Sequence, residues 1–217
     1  MNHTKCNVII VFEGIADKKF LEDLICSKYG LTKNELKRYW VNIRGFQHVA
    51  NTEFVKNNYL PAIEDDKKII FILDADQTGI EDGGKVARTN KIIADLKKQK
   101  IDIDPEDIYL FPNNKNDGDL ETLLESIFVK ENLFFTECWN KFEGCITQAG
   151  EDNNQKLTIP PQKSKIYTYC QILLPSDRDN QEKAKDAKRN YLDKELWDLQ
   201  KQTLKPLYNF LDKYFKE

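Results

Sequence analysis

Over the first 128 residues, short runs of consecutive apolar residues alternate with longer stretches of helical apolar period. Residues 8–12 (VIIVF) form a β-branched run too short for a helix, which predicts a strand buried on both faces. Residues 17–28 then place Phe20, Leu21, Leu24 and Ile25 on one helical face. Residues 39–43 (YWVNI) predict a second strand ended by Gly45, and residues 47–64 a helical segment broken near Pro61. Residues 69–73 give a third strand, 90–100 a helix, 108–111 a short fourth strand closed by Pro112, and 120–128 a further helix. Strands alternating with helices predict an α/β fold with a parallel sheet of about four strands flanked by helices.

Beyond residue 128 the pattern changes. Helical periods at 133–142, 165–174 and 191–215 are broken by the polar loop GEDNNQ and the run PSDRDNQEKAKDAKR, and Pro206 marks a kink or restart in the last of them. The chain is therefore divided into an α/β domain, residues 1–128, and a helical C-terminal extension, residues 129–217, packed on that core. There is no sustained heptad and no internal repeat. The lysine-rich run 183–189 interleaves with Asp186 and reads as a solvated face. Trp40, Trp139 and Trp197 read as packing aromatics rather than base-stacking platforms.

The ends of the predicted strands carry the candidate chemistry. The first strand runs into Glu13 and Gly14, with Asp17 one helical turn on; the third runs into Asp74 and Asp76; beyond the fourth come NNKNDG and Glu121. In an open parallel sheet, ligands bind beyond the carboxyl ends of the strands, so these acids gather at one edge if the strands are parallel. An extended backbone through Asp74-Ala75-Asp76 would put both aspartates on one side. Crowded carboxylates repel and are tolerated best around a cation. Hard divalent ions take oxygen ligands, and Mg²⁺ combines a few carboxylates with water and substrate phosphate. Gly14 leaves room for a phosphodiester to approach. Each acid also has an ordinary reading: Glu13 and Asp17 as first-turn helix acids, the aspartate pair as a turn, Asp119 as a helix cap with Glu121 beside it, and Glu125 as a solvated residue.

Composition narrows the field. With 217 residues and 40% apolar content the chain can fill a core, and a formal charge of -3 argues against gripping nucleic acid by bulk positive charge. The only histidines are His3 and His48, which disfavours a His-rich zinc site or a Ser-His-Asp triad. Cysteines at 6, 26, 138, 145 and 170 form no CxxC and read as reduced thiols. No apolar run approaches the length of a membrane helix, so a cytoplasmic protein with no membrane partner is expected.

VFEGIADKKFL, followed by IIFILDADQTG and by YLFPNNKNDGDLETLLESI, resembles a Toprim domain, the Rossmann-like module shared by topoisomerases, bacterial primases and OLD-family nucleases. The resemblance covers about the first 128 residues, and GDLETLL, with Glu121, looks closer to the stand-alone and OLD-like branch than to topoisomerases. It implies Mg²⁺ or Mn²⁺ held by Glu13, Asp17, Asp74, Asp76 and Glu121. It also implies a catalytic lysine from beyond the core, for which Lys163 and Lys165 in PPQKSKIY are both candidates. The ATPase domain that precedes the module in OLD proteins is missing from this chain, as are the extra domains of topoisomerases and primases, so strand passage and priming are disfavoured.

Residues 79–85 (GIEDGGK) match P-loop spacing, but Val86 has no hydroxyl for Mg²⁺, and Glu81 and Asp82 would face a triphosphate. A loop over the acidic site is the expected use, with Lys85, Arg88 and Arg44 available to contact nucleic acid. His48 follows the second strand and reads as a partly buried hydrogen-bonding residue. The combined expectation is a Mg²⁺-dependent nuclease acting on DNA or RNA, with Glu13 as ligand or general acid/base, alone, as a homo-oligomer or with a separate ATPase subunit. The alternatives are a non-catalytic module docking on nucleic acid or an ATPase, and a small-molecule phosphotransfer or phosphatase site.

Overall fold

The computed structural model describes residues 7–216; His3 and Cys6 lie outside the described residues. Strands β1 (Val8–Phe12), β2 (Trp40–Asn42), β3 (Lys68–Asp74) and β4 (Ile108–Phe111) form one sheet in the order β2-β1-β3-β4. Every pairing is parallel, with Ile10 opposite Trp40 and Ile70, and Leu73 opposite Leu110. The expected α/β fold with four parallel strands flanked by helices is therefore present.

Both faces of the sheet are covered, which explains the unbroken apolar runs. Alternate residues point to opposite layers. On one face Val8, Ile10, Ile70, Ile72, Tyr109 and Phe111 pack under helix α1 (Ile15–Tyr29), which is followed by the short α2 (Lys33–Leu36). On the other face Ile9, Val11, Ile69, Phe71, Leu73, Ile108 and Leu110 pack under two helical segments. The first is a continuous turn of chain made of α3 (Thr52–Phe54), a π-helical stretch Val55–Tyr59 and α4 (Leu60–Glu64). Pro61 lies where the π-helical stretch passes into α4, and the helical segment runs through it to Glu64 rather than breaking there. The second is α5 (Lys85–Lys98), which starts before the expected residue 90 because Gly84 caps it.

The C-terminal residues complete the α1 face. Helix α6 (Leu120–Ser126) is followed by α7 (Phe134–Asp152), α8 (Gln162–Leu173), α9 (Arg178–Glu182) and α10 (Lys205–Phe215). The expected helix over 191–215 is corrected: only its last part, from Lys205, is α-helical. Residues 191–201 run as turns that bury Tyr191, Leu196 and Trp197, because backbone bonds from Asp198 N–H to Ile127 (2.7 Å) and from Val129 N–H to Leu196 (3.3 Å) pin them to the end of α6. Phe128 stacks on Tyr169 at 3.6 Å between ring centroids and also meets Trp197. Sheet and extension thus share one core. A chain ending at Phe128 is expected to lose its cooperative urea transition by circular dichroism, since Tyr109, Phe111 and Phe128 would be uncovered; a sharp transition in that fragment would show the α/β part to be self-sufficient.

The run 183–189 is likewise corrected in part. Ala184 and Arg189 are buried, with Arg189 donating to the Ala184 carbonyl (2.8 Å) and pairing with Asp186 (2.9 Å). Among the described residues no helix is long and apolar enough to cross a membrane, and Cys26, Cys138, Cys145 and Cys170 are free thiols.

Candidate active site

The order β2-β1-β3-β4 places a topological switch between β1 and β3, where the chain leaves to opposite sides of the sheet and a crevice opens at the carboxyl ends. Glu13 leaves β1 there and Asp74 ends β3 there. A cavity of about 300 Å³ at this edge is lined by Glu13, Asp17, Asp74, Glu121, Lys163 and Arg44, among others. Four of the five predicted acids therefore surround one space, brought from the turn after β1, from α1, from β3 and from α6.

Local structure places each of them. Asp17 sits in the first turn of α1 and accepts the Gly14 N–H (2.8 Å), so its ordinary capping role is real and uses one oxygen. Asp74 Oδ1 reaches across to accept the Leu120 N–H (2.8 Å) at the start of α6. Asp119 caps the same helix through the Thr122 N–H (2.8 Å), which leaves Glu121 in the first turn to face the cavity. A Cβ on Gly14 would meet Asp17 Oδ2 at 3.6 Å, an ordinary contact, so that glycine is not demanded by packing.

The expectation that Asp74 and Asp76 share a side is corrected. Asp76 has φ +55°, so the backbone is not extended there and the two side chains diverge. Its N–H donates to the Gly118 carbonyl (2.7 Å) and its carbonyl accepts from the Gly118 N–H (3.0 Å). Gly118 is at φ +136°, and a Cβ on it would lie 3.1 Å from Thr122 Oγ1 and 3.2 Å from Pro112 Cδ, so only glycine closes this clasp comfortably.

Asp76 turns instead to Arg88. Arg88 is 4% exposed and its Nη2 donates to Asp76, while Nη1 donates to Glu13 Oε1 (3.0 Å) and to the Asp74 carbonyl (2.8 Å). Its guanidinium lies 4.1 Å from the Phe46 ring centroid. Arg88 as a surface contact for nucleic acid is therefore corrected: it is an internal partner of the acids. Its signal in the sequence is position, for Arg88, Ile92 and Leu96 form the buried stripe of α5.

The lysine alternatives separate by helical phase, since residues two apart on α8 face different ways. Lys163 stands at the cavity rim with Nζ 3.9 Å from Glu121 Oε1. Lys165 is buried and paired with Glu125, which also corrects the solvated reading of Glu125. Asp186, from the run expected to be solvent-facing, also lines the cavity. Arg44 is exposed at φ +54° and borders both this cavity and a second, polar cleft that includes Asn42, His48, Asn51 and Asn58. His48 is exposed, not partly buried.

Lys85 is half-buried, and its N–H donates to Asp117 Oδ1 (2.7 Å), a carboxylate also bonded by Thr78. The N-terminus of α5, where a P-loop would hold phosphate, is thus already occupied by the protein's own anion.

Burial dominates the electrostatics. It raises the carboxyls of Glu13, Asp74 and Glu121 above their ordinary values; Asp17 and Glu13 add to the rise at Asp74, whereas Arg88 offsets it at Glu13. Asp17 is pushed up to about 7 by burial and by Glu13 and Glu121, against the Gly14 N–H. Below pH about 4 Asp17 is protonated whether the chain is folded or not; between there and about 7 only the folded chain keeps the proton, so stability drains away as pH rises through that window. Denaturation in EDTA is expected to show this fall in the native protein and a smaller one in Asp17→Asn; equal slopes would contradict the assignment.

The donor set is all oxygen, as a hard dication requires. Asp17 and Asp74 form no direct ion pair with any lysine or arginine among the described residues; Lys163 acts on them from the cavity rim. As placed, no three His, Cys, Asp or Glu side chains among the described residues converge closely enough to hold a metal ion. The residues fit such an ion by chemistry and by their shared cavity, and side-chain rotation would be needed to close on it.

No curated protein and no solved structure matches the chain. A family model does, described as protein of unknown function (DUF3226), and it matches residues 7–216, running through both the sheet and the helices that deliver Lys163. The chain belongs to the DUF3226 family.

Proposed function

We propose that the protein is a cytoplasmic, Mg²⁺- or Mn²⁺-dependent hydrolase of phosphodiester bonds in DNA or RNA, built on a Toprim-type sheet. The observation that carries this reading is the set of buried and half-buried carboxylates around one cavity at the switch point, with Asp17 and Asp74 in no direct ion pair and Lys163 at the rim. Asp17, Asp74 and Glu121 would hold the ion, which supplies an acidified water and a counter-charge for the phosphate. Glu13 borders the same cavity, and its raised affinity for protons suits it to take one from the attacking water. The water oxygen bonds to phosphorus, the ester oxygen leaves, and Lys163 steadies the charge on the phosphoryl oxygens. Arg44, exposed between the cavity and the asparagine-lined cleft, is placed to guide the strand.

Incubation with Mn²⁺ or Mg²⁺ and plasmid, single-stranded DNA, RNA and free nucleotides tests the reading. Cleavage of the polymers that EDTA abolishes is expected; hydrolysis of nucleotides alone would point to a small-molecule phosphatase. Lys163→Ala should slow cleavage by roughly 10² to 10³-fold with little change in melting temperature. Lys165→Ala should instead lower stability by about 2 kcal/mol by stranding Glu125. The reverse pattern, from cleavage assays and melts on both variants, would contradict the assignment of the lysines.

A second reading, a non-catalytic module that docks on nucleic acid or a separate ATPase, draws on the occupation of Glu13 and Asp76 by Arg88 and on the lack of three converging ligands. Metal binding with no turnover on any polymer would favour it.

A further inference from the structure

The five acids at the sheet edge fall into two groups that face different cations. Asp74 is the divide: its carbonyl accepts from Arg88 Nη1, while its carboxylate accepts the Leu120 N–H on the side of Asp17 and Glu121. On one side, Glu13 and Asp76 are bridged by a guanidinium that is 4% exposed and rests on the Phe46 ring. On the other, Asp17, Asp74 and Glu121 line a cavity with Asp186, with the ammonium of Lys163, 3.9 Å from Glu121, and with the exposed Arg44.

From this division we propose that Arg88 takes the place of a second metal ion, so that the site binds a single divalent cation, on Asp17, Asp74 and Glu121. The inference rests on the metal-site reading above and adds its stoichiometry and the role of Arg88 as a positioning residue. The charge count agrees with it. The four carboxylates of Asp17, Asp74, Glu121 and Asp186 are balanced by one dication with the Lys163 ammonium and the Arg44 guanidinium. A further dication between Glu13 and Asp76 would share two carboxylates with a guanidinium that cannot deprotonate, and would leave that group with excess positive charge. Nor is Arg88 poised to swing aside: its two terminal nitrogens are bonded to three acceptors on two loops, and its plane is packed on an aromatic ring. In this arrangement Asp76 serves to hold Arg88, and the +55° backbone at Asp76 is what aims it there.

Mn²⁺ titration of the full chain, followed by calorimetry and by the electron paramagnetic resonance signal of free Mn²⁺, tests this without reference to turnover. One ion per chain is expected. Asp76→Asn, a residue that tolerates the left-handed backbone, should weaken Mn²⁺ by less than about tenfold, below the range typical of losing even an outer-shell partner. Asp74→Asn should weaken it by more than about 100-fold. Thermal melts on both variants confirm that each is folded. Two ions per chain, or an Asp76→Asn loss as large as that of Asp74→Asn, would overturn the inference while leaving the hydrolase reading in place. One ion with the predicted ranking but no cleavage would uphold the inference and sink the hydrolase reading. No bound ion would overturn both.

Discussion

Asparagine at position 74 is expected to abolish Mn²⁺-dependent cleavage of nucleic acid and, in the metal-free protein, to raise the melting temperature. Both effects come from the same charge. Asp74 is held beside Asp17, Glu13 and Glu121 in a buried space that pushes its carboxyl well above the ordinary range. Ionised and without metal, it is repelled by its neighbours; an asparagine of the same shape keeps an oxygen for the Leu120 N–H and removes the repulsion. A gain of about 0.5–2 kcal/mol is typical of relieving a strained functional site, or roughly 1–8 °C for a chain of this size. The loss of cleavage should be at least about 10³-fold, because the variant removes a proposed ligand of the ion on which the proposed reaction depends. Melts in EDTA and initial rates in Mn²⁺ measure the two halves. A variant that is less stable without metal, or one that still cleaves, would contradict the placement of Asp74.

The opposite behaviour is expected of Arg88→Met. Removing the guanidinium leaves the half-buried Glu13 and Asp76 without their cation, and removes the donor to the Asp74 carbonyl. Breaking a buried pair from one side destabilises by about 3–5 kcal/mol, which for a chain of this length lowers the melting temperature by roughly 6–20 °C. Arg88→Lys should recover only part of this, since one ammonium cannot reproduce a planar fork that reaches Glu13, Asp74 and Asp76 together. Adding Asp76→Asn to Arg88→Met should also recover part of the stability, because one of the two stranded charges is then gone. An Arg88→Met protein that melts with the native one would mean that the pair contributes nothing and that Arg88 is not the cation of this group.

The parts of this picture that sequence patterning conveys are those set by periodicity. Runs such as VIIVF and IIFIL have no polar face, so they mark strands covered on both sides, and acids directly after them fall at the carboxyl edge of a parallel sheet. What patterning does not convey is where the backbone stops being extended. The divergence of Asp74 from Asp76 depends on a positive φ held by Gly118, forty-odd residues away along the chain, and no local spacing announces it. Arg88 was visible only as a charge in phase with Ile92 and Leu96, and its acceptors come from two other strand ends. Lys163 and Lys165 differ by two positions, and choosing between them required the packing of α8 on α6, which buries Lys165 against Glu125. The segment 191–201 has a helical apolar period, yet Tyr191, Leu196 and Trp197 are buried by turns bonded to the end of α6: tertiary burial overrode propensity.

The central proposal is that Asp17 of α1, Asp74 at the end of β3 and Glu121 of α6 form a site for one divalent cation. Anomalous diffraction from a crystal soaked in Mn²⁺ tests it most directly. A single peak within coordination distance of Asp17, Asp74 and Glu121, with Arg88 still seated between Glu13 and Asp76, is the predicted result; no peak in that cavity, or one lodged between Glu13 and Asp76 with Arg88 displaced, would contradict it.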